Sequence, residues 1–127
     1  TLSVVHAFGH GLRDAYGLQQ GVAHAVVVPH VLRYLFERED VDARAGLLAD
    51  ALGVGEAADH GAAVVDAVAE LRDELGLPFR LRDLEPVEDD DFTDVAEAIL
   101  ADGFVANAPP GLEPTAGEIE DVLEEAW

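Results

Sequence analysis

Residues Gly21–Phe36 run GVAHAVVVPHVLRYLF, and the reading of this stretch decides the fold. Local chemistry points two ways. Val26, Val27 and Val28 are β-branched and suit a strand, and Pro29 lacks the donor an ordinary helix interior needs. Against a strand stands length, since most strands run to only about 5–6 residues. Val22, Val26, Pro29, Val31, Leu32 and Leu35 also form a broad apolar surface. We read a buried helix that bends at Pro29, although periodicity by itself leaves the strand open.

Outward from this stretch, apolar residues recur with a period near 3.6, and clean alternation is missing. Leu47, Leu48, Ala51 and Leu52 form one stripe. Val64, Val65, Val68, Leu71 and Leu75 form a longer one on a helix expected from about Glu56 to Glu74. Phe92, Val95, Ala96, Ile99 and Leu100 form a third, and Ile119, Val122, Leu123 and Ala126 a fourth. Acidic residues occupy the opposite faces, as on surface helices of a packed bundle. Thr115-Ala-Gly-Glu118 has the form of a capping box. Asp89, Asp90 and Asp91 are placed to cap the third stripe's helix. Gly76 and Pro78 end the second stripe's helix, Gly103 ends the next, and Pro109-Pro110-Gly111 is a loop. The expectation is all-α: a multi-helix bundle forming one domain over residues 1–127.

Composition narrows the function classes. The 127 residues contain 27 acidic and 7 basic side chains, a formal charge of −20, and every basic residue is Arg. Such a surface repels nucleic acid and anionic membranes. Its self-repulsion falls away in strong salt, where the Debye length drops to ~3 Å at 1 M. A cytoplasm adapted to high salt is therefore expected. No apolar run approaches the roughly 18 residues of a membrane span. With no cysteine, disulfides and thiolate metal sites are excluded. There is no methionine, and the chain opens directly into helical periodicity, so a piece of a longer protein is expected.

Four of the five histidines fall early, at His6, His10, His24 and His30. His6 and His10 lie at i,i+4 and share one helical face. Two imidazoles on adjacent turns serve to hold a divalent cation or relay a proton, and they also occur as plain surface residues. Gly9 and Gly11 flank His10, and each costs a helix about 1 kcal/mol relative to Ala. Something must come close to the backbone there, either a neighbouring helix or a ligand. His24 and His30 are six apart, about 240° around a helix, and do not share a face. His60, among alanines, is taken as structural.

The block from His6 to Leu12 (HAFGHGL), followed by Tyr16 to Tyr34 (YGLQQGVAHAVVVPHVLRY), resembles the iron-containing alcohol dehydrogenases. Maleylacetate reductases, a related branch, share the style of the second helix. Weaker blocks follow in the right order: Leu75–Leu84, Ala101-Asp-Gly-Phe104, Asn107-Ala-Pro-Pro110 and Ile119–Trp127. The resemblance implies the helical C-terminal lobe of a two-domain enzyme whose N-terminal nucleotide-binding domain lies outside this chain. It also implies hydride transfer between NAD or NADP and a small alcohol or carbonyl substrate. Residue by residue, it makes His6 a metal ligand and His10 a catalytic proton-transfer group.

The resemblance implies a metal set of an Asp and a His from an earlier helix outside this chain and two later histidines, of which the first is His6 and the second falls at Gln20. An amide oxygen is a much poorer ligand than imidazole for iron or zinc, so metal binding is weakened or absent. An isolated lobe is expected to be inactive, and a homodimer is compatible with the pattern. Two other readings follow from the same residues. One is a catalytically dead helical module kept for assembly or regulation; the other is a small helical metal-binding protein.

Overall fold

The computed structural model describes residues 2–38, 44–85, 87–103, 105 and 111–127. In it the deciding stretch is helix: α2 runs Gln20–Phe36 and continues across Pro29. Burial settles what propensity left open. Ala23, Val26, Val27, Val31 and Leu35 are wholly buried, and Pro29 is buried with them. Tertiary packing thus outweighs the weak β preference of three valines.

The other helices are α1 (Leu2–Tyr16), α3 (Ala45–Ala51), α4 (His60–Glu74), α5 (Phe92–Leu100) and α6 (Ala116–Ala126). Short 3₁₀ turns cover Leu81–Asp83 and Asp89–Asp91. Among the described residues there is no strand, which agrees with the all-α expectation. Asn107, Pro109 and Pro110, assigned to a family block and a loop, lie outside the described residues.

α2 is the hub and packs on α1, α4 and α6, while α1 also meets α5 and α5 meets α6. Between α1, α2, α5 and α6 lies the main core, with Phe8, Leu12, Val31, Leu35, Phe92, Ile99 and Leu123 fully buried. Each such Phe or Leu contributes roughly 1.5–3 kcal/mol by leaving water. Trp127 closes this core edge-to-face on Phe92, with ring centroids 5.9 Å apart. A smaller cluster of Leu32, Ala49, Val64 and Val65 joins α2 to α3 and α4.

Three local expectations need correction. α4 starts at His60 and not near Glu56, because the Asp59 carboxylate caps it by accepting the Ala62 N–H at 3.0 Å. Asp91 sits at the cap position of α5 but makes no side-chain cap bond. The aspartates act at a distance: together with burial, the larger cause, Asp91, Glu88 and Asp89 push the Tyr16 hydroxyl up to about 12. That hydroxyl donates to the Glu88 carbonyl at 2.7 Å. Finally, two stripes bury less than their pattern suggests. Leu47 is 65% exposed and Leu75 64%, with Leu52 and Leu71 also exposed. Leu47, Leu48 and Leu52 of α3 and its end line an open apolar groove of about 500 Å³ with Val5, Val28 and Val68.

Two expected termini hold. Gly76 turns left-handed (φ 69°) just past α4, while the Leu77 N–H donates to the Arg72 carbonyl. Thr115 caps α6 by accepting the Glu118 N–H at 3.2 Å. The Glu118 carboxylate reaches α2, accepting from the Tyr34 hydroxyl at 2.9 Å and pairing with Arg38.

Candidate functional site

α1 presents His6 and His10 on successive turns, with ring centroids 6.4 Å apart and planes at 71°. A third ring joins them. His24 of α2 lies 5.1 Å from His6 by centroids, at 74°. Asp102, just past the end of α5, brings its Oδ2 within 2.9 Å of His10 Nδ1. Both side chains of that pair are mostly buried, 23% and 17% exposed. A carboxylate only accepts, so His10 Nδ1 donates to Asp102, and this contact favours the tautomer with its proton on Nδ1. Three helices therefore converge on one cluster of three imidazoles and a carboxylate.

The two glycines beside His10 explain the convergence. A Cβ at Gly9 would overlap the His24 ring at Nε2 and Cδ2, and a Cβ at Gly11 would overlap Ile99 Cγ1. Gly9 thus admits α2, and Gly11 admits α5. Ile99 stands three residues before Asp102, so the close approach at Gly11 is also what delivers the carboxylate to His10. The cost of about 1 kcal/mol per helical glycine is offset by two close helix contacts. The expected close approach is real, and its agent is a neighbouring helix in both cases.

The surroundings of His24 disfavour its charged form. Burial foremost, then the nearby His6 and His10, lower its pKa. Its Nε2 is buried against α1 with no hydrogen-bond partner among the described residues, an arrangement that costs roughly 1–3 kcal/mol. His30 stands apart on α2, as the 240° separation predicted. Burial, then Arg33 and Arg72, lowers it to about 4. His60 anchors the start of α4, its Nε2 donating to the Gly55 carbonyl at 2.9 Å, a structural role as expected.

Of the residues singled out from sequence, His6 and His10 come together as expected, while Gln20 is the half-buried first residue of α2, one turn before His24. Sequence reasoning missed His24 and Asp102 as members. For Asp102 a signal existed, since it lies in the Ala101–Phe104 block. For His24 the hints were its place in the Tyr16–Tyr34 block and the bare backbone at Gly9.

Among the described residues no three histidines or carboxylates are arranged to hold an ion. His6 with the Gln20 amide does not make an iron or zinc centre by itself. Likewise, among the described residues no strand leads into a glycine-rich loop of the kind that cradles a dinucleotide.

Comparison with known proteins now fixes the ancestry. The model of the Fe-containing alcohol dehydrogenase family, C-terminal, matches residues 1–127. The chain belongs to the iron-containing alcohol dehydrogenase family. It is 36% identical over 132 residues to 1,3-propanediol dehydrogenase of Citrobacter freundii, covering 100% of this chain and 33% of that protein. It is 31% identical to lactaldehyde reductase of Escherichia coli (strain K12), covering 99% of this chain and 33% of that one. A crystal structure of a 1,3-propanediol oxidoreductase superposes with a TM-score of 0.79 at 31% identity, over 98% of this chain and 32% of its own. The chain spans about a third of the length of these iron-containing alcohol dehydrogenases. The family expected from the His6–Tyr34 block is thereby shown, and the described residues have the all-helical fold expected with it. No described helix is long and apolar enough to cross a membrane.

Proposed function

We propose that residues 1–127 form the substrate-side helical lobe of a nicotinamide-dependent alcohol dehydrogenase or carbonyl reductase. The observation that carries this reading is the His10–Asp102 pair at 2.9 Å beside His6. When bound by a nucleotide-binding domain outside this chain, NAD or NADP supplies the hydride acceptor or donor. His10 Nε2 takes the proton of a small alcohol as it is oxidised, and returns it when a carbonyl is reduced. Asp102 holds the ring in the tautomer that makes Nε2 the base and stabilises the imidazolium formed. His6, one turn away, presents its ring to the substrate oxygen and polarises it by hydrogen bonding.

Positioned acid–base groups typically contribute about 10²–10⁴-fold. In the full-length protein His10→Ala is expected to lower kcat by roughly that factor, and Asp102→Asn by less. Unchanged turnover in His10→Ala removes His10 from the mechanism.

Gln20 supports a second reading, a catalytically dead lobe retained for assembly, possessing the fold but a broken ligand set. Absence of any NAD(P)-linked turnover in the full-length protein, with metal supplied, favours it over the enzyme. The charge of −20 supports a high-salt cytoplasm as the working environment. The melting temperature is then expected to rise from 0.1 M to 2 M NaCl, and a fall would count against that setting.

A further inference from the structure

We infer that His24, seated over Gly9, is a positioning residue that fixes the orientation of the His6 imidazole. The inference rests on the proposed role of His6 at the substrate oxygen and deepens it.

The seat comes first. Nε2 and Cδ2 of His24 occupy the space that a side chain at position 9 would fill, so that edge of the ring rests against bare α1 backbone. From that seat the ring meets His6 edge-to-face at 5.1 Å, closer than the 6.4 Å between His6 and His10. Among the described residues His24 is thus the nearer of the two rings packed on His6, and it arrives from a different helix. A contact from α2 restrains rotation of a ring on α1 in a way that a neighbour on α1 itself does not.

The local choices also run against stability. A glycine sits inside a helix, and an imidazole nitrogen lies buried without a hydrogen-bond partner among the described residues. A leucine over an alanine fills similar space without either defect. When a sequence breaks two local rules at one contact beside a candidate site, the contact serves the site.

The test uses the full-length protein and three variants: His24→Ala, Gly9→Ala and the double variant Gly9→Ala/His24→Ala. Gly9→Ala drives the ring from its seat, and His24→Ala removes it. Each is expected to lower kcat about tenfold or more with little change in KM, since misplacing a reacting group by about 1 Å costs up to ~100-fold. In the double variant the methyl introduced at position 9 fills the vacated space and restores helix propensity. Its melting temperature should return towards wild type while kcat stays low, and the imidazole NMR signals of His6 should remain displaced.

Recovery of kcat together with the melting temperature would show that His24 only fills space, and would overturn the inference. Wild-type kcat in a folded His24→Ala protein would do the same. If His24→Ala does not fold, the double variant decides alone. His6→Ala separates the two levels. Undiminished turnover in that variant sinks the role given to His6, whereas impaired turnover beside an unaffected double variant sinks only the role of His24.

Discussion

The core between α1, α2, α5 and α6 and the flank made by α3 and α4 draw on the same aliphatic residues but bury them to different depths. In the core Phe8, Leu12, Ile99 and Leu123 are fully sealed. On the flank only Leu32, Ala49, Val64 and Val65 are buried, and Leu47 stands 65% exposed. The lesson is that an apolar stripe states a capacity for burial, and the neighbours decide how much is used. It also locates the site. His6, His10 and Asp102 ride on helices of the sealed side, whose close packing holds their geometry.

Breaking the sealed side should cost most. Phe8→Ala is expected to lose about 3–5 kcal/mol of stability in urea unfolding monitored at Trp127. A loss below about 1 kcal/mol would mean that the core is not packed as described. On the flank Val64→Ala should lose roughly 2 kcal/mol, and exposed Leu47→Ser no more than about 0.5 kcal/mol. Equal losses at positions 47 and 64 would erase the distinction between them.

A pH dependence is expected at the join of the two regions. His30, lowered to about 4 from an ordinary 6.5, resists protonation in the folded state. Its contribution is therefore fully present above about pH 6.5 and is lost as pH falls towards 4. His30→Gln should flatten that part of the stability curve relative to wild type, as read from urea midpoints at pH 7, 5.5 and 4. Identical slopes in the two proteins would show that His30 titrates normally.

Much of this architecture is legible in the residues. Thr115, Gly76 and the stripe Ile119–Ala126 announce their elements because caps and periodicity act within one helix. The start of α4 was misplaced because residues 56–59 continue a plausible helical composition, and only the bond from Ala62 to the Asp59 carboxylate reveals the true cap. Half the site was readable for the same local reason: His6 and His10 share a turn-to-turn face. His24 and Asp102 were not, since their membership depends on how α2 and α5 cross α1. A helical wheel describes one helix and is silent about crossings. Gly9 and Gly11 were the trace those crossings left in the sequence.

The link from Glu118 to Tyr34 and Arg38 has a bearing on how the protein is made. α6 comes last of the six helices, yet it clamps the helix that carries His24 and covers Phe92. During translation the face of the hub helix that meets α6 therefore stays uncovered until α6 has left the ribosome, while α1 and α4 are already available to its other faces. Synthesis order makes the α2–α6 clamp one of the last contacts of the lobe to form.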